Sequence, residues 1–128
     1  LGANGATILL PQGFGYRLVG GNIHYAATAT TGSRAPRLEI HDLAGAMLLS
    51  NAAIGTFSPS ASVNFIIMPG GAYRDNSSSL TPYNVILLGW PKDFIILNGW
   101  SIIFEEEYKI DQNDSIGWSL LFEQIRLD

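Results

Sequence analysis

The stretch FGYRLVGGNIHYAATAT (residues 14–30) decides the fold class, because apolar side chains alternate along it with polar or small ones. A period of two is typical of a β-strand whose two faces meet different surroundings. The apolar positions are even up to Leu18 and odd from Ile23 onward, so the inward face changes between them. Gly20 and Gly21 lie at the change, and glycines inside a strand are typical of a β-bulge. The stretch therefore predicts one long, bulged strand.

The rest of the chain repeats short β-branched and aromatic runs, each bounded by Gly, Pro, Asn, Asp or Ser. These runs cover residues 38–42, 46–50, 62–68, 83–88, 94–97, 100–110 and 116–127. No segment keeps the apolar spacing of a helix over three turns. We therefore predict an all-β fold, an antiparallel, jelly-roll-like β-sandwich of about eight strands. Residues 1–12 are expected to form an N-terminal arm or first strand, and residues 13–128 a single sandwich domain.

The composition indicates a domain that assembles with other chains. Charged residues make up 14% and hydrophobic residues 47% of the 128 residues, whereas about 25% charged is usual for soluble domains. Residues 62–68 are apolar on both strand faces, so we expect both faces to be buried in the fold or at a subunit contact. Because monomers rarely expose large apolar patches, copies of the chain or a larger assembly are expected to cover part of its surface.

Two classes of partner do not fit this sequence. A membrane-spanning helix needs about 20 consecutive apolar residues, and the longest candidate run, residues 94–104, is interrupted by Asn98 and Gly99. Nucleic-acid binding needs clustered Lys and Arg, yet the formal net charge is -4 and the seven basic residues are scattered. We therefore expect no nucleic-acid partner and no membrane partner.

The two histidines, His24 and His41, are the only imidazoles that a Ser-His-Asp hydrolase could use. His41 and Asp42 are neighbours along a strand and point to opposite faces, so Asp42 cannot orient His41. The chain also has no Gly-x-Ser-x-Gly motif and no cysteine, so it lacks both a nucleophile elbow and a thiolate. We predict a protein that is not an enzyme, with its histidines at the surface or at an interface.

Two acidic segments share single features with ligand sites. Glu105 and Glu107 lie about 7 Å apart on one strand face, a spacing within the range of glycosidase carboxylate pairs. The favoured interpretation is a like-charged solvent face of an edge strand. Residues 111–114 (DQND) lack the spacing and the terminal Glu of a calcium loop, so a β-turn is expected there. We therefore predict no metal and no cofactor.

The order of elements along the chain carries a family signal. An aromatic-led strand (residues 14–30) ends in small residues and Thr and continues into GSRAPRL (residues 32–38), a Gly-x-Arg-x-Pro-x-Leu element. A Gly turn, a Ser-rich loop, a Pro-bounded strand, LNGWSI (residues 97–102), an Asp-containing turn and a final Trp strand follow. From residue 14 onward this order resembles the small all-β capsid decoration or cement proteins of tailed bacteriophages.

The resemblance implies a non-enzymatic virion protein that binds the major capsid protein on the outer capsid surface, stabilises the particle and often forms homotrimers. Arg34, Pro36 and Arg37 match the motif and are interface candidates. Further interface candidates lie in the loop of residues 69–82 and in the N-terminal segment: Tyr73, Arg74, Ile8, Leu9 and Leu10. Pro36 is expected at a strand start or edge. Arg34 is expected at the tip of a loop, where it can bind a carboxylate of this chain or of a neighbour.

The tryptophans leave a second role open. Trp90, Trp100 and Trp118 either fill the core or an interface, which is commoner in sandwiches, or stack on sugar rings. If they are exposed, the chain is instead a host-attachment module of a tail or head fibre that binds surface glycan.

Overall fold

The chain folds into β-strands joined by turns and loops. The structure is a computed structural model that describes residues 6–11, 13–51, 57–70, 85–106 and 110–127. In chain order its strands are β1 (Ala6–Leu9), β2 (Phe14–Ala26), β3 (Pro36–His41), β4 (Met47–Asn51), β5 (Ser62–Pro69), β6 (Val85–Trp90), β7 (Ser101–Glu106) and β8 (Ser115–Arg126). Within these ranges no helix is long and apolar enough to cross a membrane. The predicted all-β class and strand number are confirmed.

The strands form two four-stranded sheets that pack face to face as a β-sandwich. One sheet has the order β1-β7-β3-β4 and the other has the order β6-β5-β2-β8. All neighbours pair antiparallel except β5 and β6, which run parallel. This parallel pair departs from the fully antiparallel prediction, and the jelly-roll detail is not confirmed. The predicted β-sandwich is confirmed.

β2 is the long bulged strand that its glycines predict. Its pairing with β8 shifts register just after Leu18, which leaves Val19 as the extra residue. Leu18 on one side of the shift and Ile23 on the other are both completely buried. Gly21 has a φ of +152°, and a Cβ at this position would lie 2.7 Å from the Ser119 carbonyl oxygen. The bulge therefore orients the apolar side chains of both halves of β2 toward the same core.

An aromatic cluster joins the two sheets. The ring centroid of Phe104 on β7 lies 5.8 Å from that of Tyr25 on β2, 5.9 Å from Phe65 on β5 and 6.1 Å from Trp118 on β8. Full burial of a side chain such as Phe contributes about 1.5–3 kcal/mol. Because β7 packs against three strands of the opposite sheet, its C-terminal end is held beside β2 and the start of β8.

Two of the predicted segments differ in the structure. Residues 94–97 form no strand, and Ile96 makes a single bridge to Tyr16, at a part of β2 that β5 does not reach. In β5, Val63 is completely buried, whereas Met68 is 41% exposed. Both faces of β5 are not buried inside the fold, because each sheet of a two-layer sandwich has one outward face; burial of the outward face at a subunit contact stays a prediction.

Candidate functional site

Arg34 anchors the loop between β2 and β3 from inside the protein. Its side chain is completely buried, and it binds Asp114 through Nε to Oδ2 at 3.0 Å and Nη2 to Oδ1 at 3.4 Å. Nη1 donates to the carbonyl oxygens of Thr30 and Gly32 at 2.5 and 2.6 Å. Nη2 also donates to Thr28 Oγ1 at 3.1 Å. All five N–H groups of the guanidinium therefore have acceptors within the chain itself.

The turn that precedes β8 is tied to the same loop. The hydroxyl groups of Thr28 and Thr30 each donate to Asp111 Oδ2 at 2.6 Å, and the Thr28 N–H donates to Asp114 Oδ1 at 2.7 Å. These two threonine hydroxyls and the Asn113 N–H lower the pKa of Asp111 to about 2. The Asp114 N–H donates to the Asp111 carbonyl oxygen at 3.1 Å, which confirms the predicted β-turn. Two carboxylates of this turn thus fix the β2–β3 loop.

Tyr25, Glu106 and Asp114 bring three side-chain oxygens together next to Arg34. The Tyr25 hydroxyl hydrogen bonds to Glu106 Oε1 and lies 3.1 Å from Asp114 Oδ2. Tyr25 and Asp114 are completely buried, and Glu106 is 5% exposed. With Arg34 they form what we call the buried polar cluster.

The surroundings of the buried polar cluster shift the pKa values of its members in different directions. Burial, followed by the hydrogen bond to Asp114, raises the pKa of Glu106 to about 7. Burial also acts to raise the pKa of Asp114, but hydrogen bonds from Glu106 and Arg34 outweigh it and hold that pKa well below its usual range. Burial and the bond to Glu106 raise the pKa of the Tyr25 hydroxyl far above its usual range. Asp114 is therefore the ionised partner of Arg34.

The three residues of the Gly-x-Arg-x-Pro-x-Leu motif lie at different depths. The expected position of Arg34 at a loop tip is wrong, because its guanidinium points inward to Asp114. Pro36 starts β3, as predicted, but it is buried opposite Glu106. Arg37 is 34% exposed and lies 2.7 Å from Glu105. Of the three, only Arg37 is accessible to a partner.

Glu105 lies in a charged row on the outer face of its sheet. β7 is placed between β1 and β3, so the edge-strand interpretation of Glu105 is wrong. Arg37 Nη2 lies 2.7 Å from Glu105 Oε1, and Arg37 Nε lies 2.7 Å from Glu39 Oε1. Glu107 lies outside the described residues.

His41 is oriented by Glu39 rather than by Asp42, because residues two apart share a strand face. His41 Nε2 lies 2.7 Å from Glu39 Oε2, and Nδ1 lies 3.1 Å from the Gly45 carbonyl oxygen. Both partners are acceptors, so only the doubly protonated ring donates to both. Ser101 is the cross-strand neighbour of His41, but both ring nitrogens already have other partners.

The remaining interface candidates fall into three environments. Leu10 is 7% exposed, Ile8 packs partly buried against the core, and Leu9 is 72% exposed. Residues 6–9 form β1 and pair with β7 of the same chain, so this part of the N-terminal segment is the first strand of the sandwich. Tyr73 and Arg74 lie outside the described residues.

β8 is the longest open edge of the sandwich among the described residues. It has 12 residues, whereas the other edge strands, β1, β4 and β6, have 4, 5 and 6. β8 contains neither Pro nor Lys, which are residues that commonly protect edges. No other described strand pairs with its outer side; a strand of this length extends about 40 Å, and Leu121 near its centre is 65% exposed.

The tryptophans contribute to packing. Trp90 is 2% exposed, and Trp118 lies against Phe104 in the core cluster. Trp100 is partly buried, with its ring centroid 6.4 Å from that of Phe94. None of the three is a fully exposed side chain.

Sequence reasoning missed Asp114 as the partner of Arg34 and missed Tyr25 and Glu106 as the other members of the buried polar cluster. One signal was present, since Glu106 shares the even parity of Ile102 and Phe104, which is the inward parity of β7. A carboxyl group in a buried row needs a partner inside the fold.

Comparison with known proteins adds no relative. No protein-family model, curated protein or solved structure matches this chain.

Proposed function

We propose that this protein is a non-enzymatic capsid decoration or cement protein of a tailed bacteriophage. It binds the major capsid protein on the outer surface of the virion and stabilises the particle. It acts as a homo-oligomer, for which a trimer is the expected form. The proposal starts from the resemblance in the order of sequence elements, and the surface of the sandwich supports it.

The observation that carries the proposal is the open edge of β8. A free strand edge can pair with a strand of another chain through main-chain hydrogen bonds, and a long unprotected edge is otherwise an aggregation hazard. Leu121 on β8 and Leu127 just after it are 65% and 50% exposed. An assembly contact would cover this edge together with its apolar side chains.

The internal contacts of the β2–β3 loop also fit an assembly subunit. Arg34 and Asp114 brace the loop from inside the protein, and Arg37 emerges at its end beside Glu105. A partner would meet a preformed surface, which lowers the ordering cost of binding. The motif residues would then act mainly as scaffold, with Arg37 as their one surface contact.

Binding to capsids tests the proposal. Purified protein is mixed with capsids from a phage strain that lacks the gene, and the bound fraction is measured after sedimentation. We expect saturable binding at a copy number set by the capsid lattice, and capsids that withstand heat better. Failure to bind capsids, together with sugar-sensitive binding to host cells, would instead favour the host-attachment role.

A further inference from the structure

Glu106 is a buried carboxyl group that the proposed function does not use. It ends β7 and is 5% exposed. Its ionisable neighbours are Tyr25 from β2, Asp114 from the turn before β8 and Arg34 from the β2–β3 loop. The ionisable groups around the Glu106 carboxyl group therefore come from three different segments of the chain.

The other surroundings of Glu106 contribute no further described charge to the buried polar cluster. On β3 its cross-strand partner is Pro36, which does not titrate. The adjacent Glu105 points to the other face of the sheet and binds Arg37. Glu107 and Lys109 lie outside the described residues.

The contacts among the three oxygens fix a proton count. The Tyr25 hydroxyl has one proton and can donate it to one carboxylate. Two buried carboxyl groups, those of Glu106 and Asp114, lie within hydrogen-bond distance of this one hydroxyl, so both contacts are hydrogen bonds only when one of the carboxyl groups carries a proton. Asp114 already accepts hydrogen bonds from Arg34 and from the Thr28 N–H, which favours its ionised form. The additional proton therefore belongs to Glu106.

We propose that Glu106 is a proton-operated lock, which holds the β2–β3 loop against the turn before β8 when protonated and loosens it when ionised. With the proton, the buried polar cluster contains one positive charge on Arg34 and one negative charge on Asp114. Without it, a second buried negative charge faces Asp114, and the two like charges repel. The inference does not depend on the proposed capsid role.

The direction of the pH effect follows from where the proton is held. The pKa of Glu106 is raised from its ordinary 4.5 to about 7, so between these values the folded chain keeps a proton that the unfolded chain has lost. The stabilisation from this group is complete below the ordinary pKa and is lost as pH rises through the raised one. The lock is therefore closed in mild acid and open in mild base.

Carboxyl carbon NMR of protein labelled at the glutamate side chain tests the protonation directly. We expect one glutamate signal with a midpoint near pH 7, and we expect this signal to disappear in E106Q. If every glutamate titrates below about pH 5, the proposal is overturned. Because the Tyr25 hydroxyl hydrogen bond lowers the pKa of Glu106, Y25F is expected to move the midpoint upward, and an unchanged midpoint would contradict the contact.

Hydrogen exchange tests whether the proton controls the loop. After correction for intrinsic exchange, the amides of Thr28 and Arg34 should lose protection several-fold between about pH 5 and about pH 9 in the wild type. In E106Q, which mimics the protonated group, their protection should stay constant. E105Q removes a carboxylate from the other face of β7 and should behave as the wild type. Equal loss of protection in the wild type and in E106Q would contradict the proposed lock.

Discussion

Arg34 and Asp114 are 80 residues apart in the sequence and form an ion pair in which neither side chain is exposed to solvent. The pair joins the loop after β2 to the turn before β8, so a charge contact closes the end of the antiparallel β2·β8 pairing at which Ala26 pairs with Ser115. Two other residues of the motif, Gly32 and Pro36, shape the backbone around it. The motif that suggested a surface contact is therefore mainly an internal brace.

Removal of the Arg34 side chain should destabilise the fold severely. R34A leaves Asp114 charged and buried without its partner, which costs about 3–5 kcal/mol of unfolding free energy in other proteins. Urea denaturation measures the loss. The matched control is R17A, because Arg17 pairs with Asp93 and Glu123, whose side chains are 84% and 54% exposed, and such surface pairs contribute about 0–1 kcal/mol. Equal losses in the two variants would show that Arg34 is not an internal brace.

Gly32 should not tolerate a side chain. Its φ is +135°, and a Cβ would lie 3.0 Å from two side-chain atoms of Ile110. G32A is expected to cost about 1–3 kcal/mol, the range for a residue held in a sparsely populated backbone region. G117A serves as the control, because a Cβ at Gly117 meets nothing within 4 Å. A thermal unfolding midpoint that is unchanged in G32A would contradict the packing described.

Asp111 should make the protein sensitive to strong acid. Hydrogen bonds from Thr28, Thr30 and the Asn113 N–H lower its pKa from 3.8 to about 2 in the folded chain. A lowered pKa stabilises the fold above the ordinary value, and this stabilisation is lost as pH falls through the lowered one. The fall in stability below about pH 4 should be shallower in D111N. D93N, at a side chain that is 84% exposed, should keep the wild-type slope.

The open edge of β8 should control assembly. L121D places a charge at the exposed centre of this edge and is expected to reduce oligomer formation and capsid binding at least tenfold, without unfolding the monomer. L43D is the control, because Leu43 is 78% exposed and belongs to the turn between β3 and β4, two strands of the other sheet. Light scattering and capsid sedimentation measure the two effects. A similar loss of binding in L43D would point to a different contact surface.

Strand periodicity predicted the fold class because burial of one strand face is a local property. The parity change in β2 predicted the bulge, and the alternation in β7 and β8 predicted two strands that the structure confirms. The pairing partner of a strand is not a local property. The charged Glu105 on β7 was interpreted as the solvent face of an edge strand. In the structure, Arg37 on the neighbouring strand β3 binds that carboxylate. Sheet order depends on contacts between distant segments, which periodicity does not contain.

The buried polar cluster could be predicted only in part for the same reason. The inward parity of Glu106 was visible in the sequence, and so was the Asp-rich turn. The approach of Asp114 to Arg34 requires β2 and β8 to pair over their full lengths, which brings the residues after one strand next to those before the other. Arg34 was expected at the surface because charged residues usually lie there, and only a buried partner reverses that expectation.

The central proposal is that this chain is a surface subunit of a phage capsid. Under this proposal the gene for the chain belongs to a phage, and cryo-electron microscopy of that phage's virions tests the proposal most directly. The proposal predicts sandwich-shaped density in many symmetric copies on the outer capsid, with the edge of β8 covered by a neighbouring chain. Virions that lack this density on the capsid, or that carry it only at the tail, would contradict it.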